Sequence, residues 1–246
     1  MGILNVTPNS FYDGGKYRTE AEILYQAEVM LDEGATFIDV GAYSSKPNAE
    51  FVSELEELER IVPVINLLLK QFPEAIVSID TFRSEVAKAA IENGAALIND
   101  ISAGNLDERM METIAHYKVP YVMMHMRGNP ETMQSLTHYN NIIKEMILYF
   151  SEKVAKARSL GINDLILDPG FGFAKTIEQN YEVLQKLELF QMLELPILAG
   201  VSRKSMIYKL LNINAQEALN GTIVLNTVAL TKGAAILRVH DVKEAM

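Results

Sequence analysis

The sequence contains no cysteine, which excludes disulfides, thiolate metal sites and a cysteine nucleophile, though it does not identify a compartment. It has no uninterrupted apolar run of membrane-spanning length, and residues 1–6 read as a strand rather than the charged start of a secretory signal. Position 6 is Val, so the Met-Gly start does not support N-myristoylation. The expectation is a soluble, cytoplasmic protein with no membrane partner. Positive charge is also scarce: 22 Lys and Arg stand against 32 Asp and Glu, for a formal net charge of −10. An extended nucleic-acid surface needs clustered basic residues and is not expected here, so any anion must be held by a local cluster. Finally, no G-x-G-x-x-G turn follows the first apolar run, which weakens a dinucleotide-binding sheet.

What is present is enough for a full core. The chain has 246 residues, 49% hydrophobic and 22% charged, which suits one large α/β domain or two small ones. Eight short β-rich apolar runs, at 3–5, 36–40, 76–80, 96–101, 121–125, 165–168, 197–201 and 236–240, alternate with helical patterns. Thr19-x-x-Glu22 and Ser53-x-x-Glu56 are capping-box candidates, with Pro63 expected to kink the second helix or start a new one. Further helices are expected over 84–93, 106–117, 141–160, 177–193, 204–211 and 215–231. The acidic run 54–59 reads as a solvated helix face. Eight strands with intervening helices, in a chain near the ~250 residues usual for the architecture, favour a (β/α)8 TIM barrel over an open doubly wound sheet, as a single domain spanning 1–246. Six residues after the eighth run leave no room for a complete eighth helix, so either the chain is trimmed or the outer ring is open there.

Most strands finish on a polar side chain: Asn5, Asp80, Asn99 with Asp100, His125, Asp168, Ser202, then Arg238 with His240. Unpaired buried charges cost several kcal/mol each, so such ends should share partners, water or a ligand, and in a barrel they gather at the C-terminal mouth. The stretch LILDPGFGFAK (165–175) shows the pattern best, because Pro169-Gly170 stops an apolar run directly behind Asp168. Read alone, that aspartate serves equally well to shape the turn or cap a helix. Period-two alternation places Arg238 and His240 on one face, and Ser78 with Asp80 on another. An Arg-His pair beside Asn5 suits a phosphate-type anion, with Asn5 offering oxygen to a hard cation. The alternative for Arg238 is an ion pair with an acid such as Asp241. Lys204, in VSRKS (201–205), lies where helix-start amides and cations suit an anion or an acceptor-rich ligand, or are simply solvated. His116 and His138 fall outside the pattern. Met123, Met124 and Met126 are expected in core and pocket walls.

MGILNVTPNSF, SIDT, INDIS, MMHMRGNP, LDPGFGF, SRKS and RVHD, in this order, resemble the dihydropteroate synthase family of folate biosynthesis over nearly the whole chain. The resemblance implies an enzyme that joins 6-hydroxymethyl-7,8-dihydropterin diphosphate to 4-aminobenzoate, with Mg2+, commonly as a homodimer, in a family that is a sulfonamide target. It implies that Asp80, Asn99, Asp168 and Lys204 hydrogen-bond the pterin, with Arg238 against its ring. Asn5, Arg238 and His240 would handle the diphosphate, Asn5 as the metal residue. Ser45, Lys46 and Pro47 with Phe173 and Ser202 would border the aminobenzoate, Ser45 also reaching the diphosphate side. Three positions depart from the family: Asn9 for Asp, Lys46 for Arg and Asn48 for Gly. Lysine keeps the charge but loses the planar fork, so contacts of that loop should differ. Two other functions compete, a pterin-binding methyltransferase domain and a catalytically silent pterin-binding module. The first has no use for TPNSF, SRKS and the Arg-His end; the second would bind pterin without forming product.

Overall fold

The computed structural model of the protein describes residues 1–6, 19–43 and 52–246. Strands and helices alternate as β1 (Gly2–Asn5), α1 (Glu20–Asp32), β2 (Phe37–Gly41), α2 (Glu54–Gln71), β3 (Ile76–Asp80), α3 (Ser84–Glu92), β4 (Leu97–Asp100), α4 (Met110–Tyr117), β5 (Tyr121–Met124), α5 (Ile142–Ser159), β6 (Leu165–Asp168), α6 (Ile177–Gln185), β7 (Leu198–Ala199), α7 (Ser205–Leu211), α8 (Leu219–Thr231), β8 (Ile236–Leu237) and α9 (Val242–Ala245). β1 to β6 pair in sequence order, all parallel, and β7 pairs parallel with β8. Both seams between these two sheets are closed by backbone bonds. Leu167 N–H donates to Pro196 O at 2.9 Å, while Ile3 N–H donates to Val239 O and Val239 N–H to Met1 O, each at 2.9 Å. The eight strands therefore form a (β/α)8 barrel. Among the described residues, no helix is long and apolar enough to cross a membrane.

Alternation along the strands produces two apolar layers. Leu4, Ile38, Val40, Val77, Ile79, Ile98, Met123, Leu165 and Leu167 face outward and pack beneath the helices. Leu97, Val122, Ile166 and Leu198, with Ile236 and Met1, plug the barrel interior. Residues two further along the same face are Asn99, Asp168 and Arg238, so the interior turns polar one layer above the plug. Asp100 and His125 are out of phase with this set and point outward. Asp100 accepts from Ser102 N–H (2.7 Å), Gly104 N–H (2.7 Å) and Tyr121 O–H (2.6 Å), while the His125 ring packs edge-on to Tyr149 of α5 at 4.9 Å. These two polar strand ends thus organise turns and packing rather than the mouth.

Local chemistry explains where helices depart from expectation. Thr19 and Glu22 form the capping box at the start of α1. Pro63 sits inside α2 and starts no new helix; both Pro63 and Glu59, whose carbonyl loses its helical donor, lie on the exposed face, where water replaces the bond. The acidic run is not wholly solvated, because Glu57 is fully buried and paired with Arg83. α4 begins at Met110 rather than near 106, since the Asp107 carboxylate is committed to the amides of Ser84 (2.7 Å) and Arg109 (3.0 Å). The pattern at 177–193 divides into α6 and a tighter 3-10 stretch, Leu187–Leu193, and a 3-10 turn, Gln216–Ala218, precedes α8. The β7–β8 connection carries two helices, and β8 is followed by the single turn of α9, which packs on α8.

Candidate active site

The polar layer is built around a carboxylate that the motif reading missed. Asp39, in the middle of β2, is fully buried. Its Oδ2 accepts from Arg238 Nε at 2.6 Å and Asn99 Nδ2 at 3.1 Å, and its Oδ1 accepts from Ser78 Oγ at 2.5 Å. Arg238 also donates through Nη2 to Asp80 Oδ2 at 2.7 Å. One guanidinium therefore spans two carboxylates. Burial opposes its charge, but Asp39 and Asp80 more than offset this and hold the group above its ordinary range. Burial pushes Asp80 up to about 7, against the pull of Arg238, with Asp39 adding to the rise. Because the Asn99 N–H2 must face a carboxylate, its amide oxygen is free to turn toward the cavity as an acceptor.

A second cluster forms across the barrel. Asp168 ends β6 and accepts from Gly170 N–H at 2.7 Å; burial raises it from the ordinary carboxylate range and Lys204 opposes the rise. Lys204 donates to the Phe171 carbonyl, lies 5.0 Å from the centre of the Phe173 ring and is lowered by burial to about 8, with Asp168 resisting. Gly170 is required here: at φ 68°, an added Cβ would lie 2.2 Å from His125 O. The ends of β7 and β8 are tied by His240 N–H donating to Ser202 Oγ at 3.2 Å. Asn5 lies near Asp80 beside Gly41, where an added Cβ would meet Asp80 Cβ at 3.5 Å and Asn5 Oδ1 at 3.7 Å.

The structure therefore brings Asn5, Asp80, Asn99 and Arg238 to one side of the mouth, and Asp168, Lys204 and Phe173 to the other, with Ser202 and His240 at the β7–β8 edge. Ser45, Lys46 and Pro47, like Asn9 and Asn48, lie outside the described residues. Asp241 is not the partner of Arg238: it holds Arg203 bidentately, Nε and Nη2 each at 2.8 Å. That pair steadies the left-handed backbone of Arg203 (φ 52°) between Ser202 and Lys204. Chemically, two carboxylates, an amide oxygen and a lysine above an apolar plug can read the donor-acceptor edge of a flat heterocycle, with an arginine beside them for an anion.

A family profile described as pterin binding enzyme matches residues 1–240. The chain belongs to that family. Across its full length this pterin-binding enzyme is 43% identical to dihydropteroate synthase of Escherichia coli (strain K12), covering 87% of that protein. It is 46% identical to dihydropteroate synthase of Synechocystis sp., again over its full length and covering 86% of the relative. The crystal structure of Yersinia pestis dihydropteroate synthase with a sulfonamide drug complex superimposes with a TM-score of 0.95 at 41% identity, covering 99% of this chain and 89% of that one. Xanthomonas albilineans dihydropteroate synthase with 4-aminobenzoic acid gives a TM-score of 0.91 at 36% identity, covering 99% and 88%.

Of the residues missed in the sequence, Asp39 left one signal, a lone charge inside the apolar run Ile38-Asp39-Val40 that shares a face with Gly41. Replacing it with Ala strips Ser78, Asn99 and Arg238 of their shared acceptor. Chemical denaturation should show a loss of about 3 kcal/mol, the low end for a broken buried pair because Arg238 keeps Asp80. Unchanged stability would show the network to be dispensable.

Proposed function

We propose that this pterin-binding enzyme is a dihydropteroate synthase, a transferase that joins 6-hydroxymethyl-7,8-dihydropterin diphosphate to 4-aminobenzoate and releases 7,8-dihydropteroate and pyrophosphate. The observation that carries the reading is the pairing of Asp80 and Asn99 with Asp168 and Lys204 around one cavity, with Arg238 at its edge, in a chain alike over its whole length to synthases. Asp80, Asp168, Asn99 and Lys204 supply the acceptors and the donor that a pterin edge requires, and the Arg238 guanidinium lies against the ring. Arg238 and His240 face the diphosphate, and Phe173 with Ser202 borders the aminobenzoate; Ser45, Lys46 and Pro47 are assigned to that side by the motif alone.

An arylamine is uncharged at neutral pH and already nucleophilic, so the site needs no strong base. Its nitrogen forms the new C–N bond at the pterin methylene, the C–O bond to the diphosphate breaks, and the amine proton leaves to solvent. The costly event is charge separation. Arg238 and His240 stabilise the departing anion while Asp80 and Asp168 favour the electron-poor pterin, in a site already oriented for both. The donor set also fits Mg2+. Among the described residues no cluster of three carboxylates or imidazoles could hold a metal by itself, but the Asn5 amide oxygen is a hard ligand of the kind that shares Mg2+ with substrate phosphates and water. When bound there, Mg2+ would add neutralising charge to the diphosphate.

The homodimer belongs to the same proposal and is supported by α8 and its neighbour α7. The thirteen residues of α8 include no charged side chain, and Ile223, Val224 and Leu230, with Leu210 and Leu211 of α7, remain exposed. A helix without charge on any side that leaves aliphatic side chains exposed calls for a partner, and a second copy of the chain supplies an identical surface. Sedimentation should give twice the chain mass, and Val224→Glu should return it to monomer; a monomeric wild type would remove the proposal.

Incubation with Mg2+, the pterin diphosphate and 4-aminobenzoate should yield pyrophosphate and dihydropteroate in equal amounts, with Asp168→Asn lowering turnover at least about a hundredfold, the scale of lost electrostatic stabilisation. Pterin binding without product, or full turnover in Asp168→Asn, would contradict the reading. In kcat/KM for the pterin diphosphate, activity should rise as Asp80 ionises near pH 7 and fall as Lys204 loses its proton near pH 8. Asp80→Asn should remove the acid limb alone; persistence of that limb would assign it to another group.

A further inference from the structure

Lys175 is a buried cation that the reaction as described does not use. Only 4% of the residue is exposed, and its ammonium donates to Gly170 O at 3.0 Å, to Phe173 O at 3.0 Å and to His125 Nδ1 at 3.1 Å. In the protonated form its three N–H bonds meet three acceptors, which leaves none over for a ligand. Burial holds His125 well below its usual range, so the imidazole is neutral, and the lysine donor selects the tautomer with Nδ1 as acceptor. Burial likewise lowers Lys175 to about 7, with Asp168 opposing and Lys204 and Arg127 adding to the fall.

The two carbonyls held by Lys175 bracket the turn that leaves Asp168. Within it, Gly170 N–H is bound to Asp168, Phe171 O accepts from Lys204, and Gly172 N–H donates to Asn180 Oδ1 at 2.7 Å. The turn is closed on itself by Phe173 N–H donating to Gly170 O at 3.1 Å, and among the described residues Lys175 is the side chain that grips the carbonyls of both its first and its last residue. The last residue carries the Phe173 ring that faces Lys204. An apolar side chain of similar length would fill the space at far lower desolvation cost but would leave the Phe173 carbonyl without its donor and Gly170 O with the turn's own N–H bond alone.

We propose that Lys175 is a positioning residue for the second substrate: it holds the Gly170–Phe173 turn so that the Phe173 ring and Lys204 stay set for the arylamine, without touching either substrate. The inference rests on the synthase reading and extends it to a residue outside the cavity.

Lys175→Met is the test, with aminobenzoate KM, kcat and the dissociation constant of a pterin ligand measured together. Misplacement by an ångström costs up to about a hundredfold, so the aminobenzoate KM should rise about tenfold or more while pterin affinity stays within about twofold. Lys175→Gln keeps N–H donors on a shorter arm and should fall between wild type and Met; it carries the same comparison if the Met variant does not fold. An unchanged aminobenzoate KM beside a lowered melting temperature would make Lys175 merely structural and overturn the inference. So would a loss of pterin affinity equal to the rise in KM, which would make Lys175 a charge partner of Asp168. If the wild-type chain forms no dihydropteroate, the synthase reading fails and this inference fails with it; product from wild type beside an unaltered variant overturns the inference alone.

Discussion

The Arg238 guanidinium, suspended between Asp39 and Asp80, is the interaction on which the rest of the mouth depends. Taking charged groups out of water costs several kcal/mol each, and mutual attraction repays this only when geometry is good and the remaining lone pairs are satisfied. Here Ser78 and Asn99 satisfy Asp39, whereas Asp80 keeps part of its carboxylate, and Arg238 part of its fork, toward the cavity. Each group open to a ligand is thereby backed by one that is not. Stability alone would favour an apolar filling. The polar layer makes sense as a set of charges oriented before the substrate arrives.

The same strands separate stability from chemistry by parity. Outward residues meet the helices in a continuous apolar layer, and inward residues form first a plug and then, one position pair higher, the polar groups of the candidate site. A carboxylate one residue out of phase has a different role. Asp100 and Asn99 are neighbours in sequence, yet the first caps a turn and receives the Tyr121 hydroxyl while the second faces the cavity.

Much of this was legible in the sequence, and the parts that were not have identifiable causes. The eight strands and their order follow from short apolar runs alternating with helical periods, and the polar strand ends mark the mouth. Asp100 and His125 resemble those ends in composition, and only their phase along the strand turns them outward. Asp39 escaped because it lies within a run rather than at its end, and its partner Arg238 is 199 residues away. Asp241 looked like the natural partner for Arg238 by proximity in sequence, but strand geometry turns Arg238 inward and leaves Asp241 to Arg203. The grip of Lys175 on its own loop depends on backbone carbonyls, which carry no residue-specific signature. Pro63 in the sequence points to a kink or a new helix, but α2 runs through it because its exposed side tolerates one lost bond.

The seam between β1 and β8 has a consequence for how the molecule comes into being. Translation produces Asp39, Asp80 and Asn99 early, on strands that can already lie side by side, yet their cation arrives only with the eighth strand, whose Val239 exchanges backbone bonds with Met1 and Ile3. Until then the sheet has an open edge, and Asp39 and Asp80 lack the guanidinium that joins them in the closed barrel. Closing the ring and joining the two carboxylates are one event. A chain without its last strand therefore lacks the cation of this network, so completing the architecture and completing the polar layer coincide.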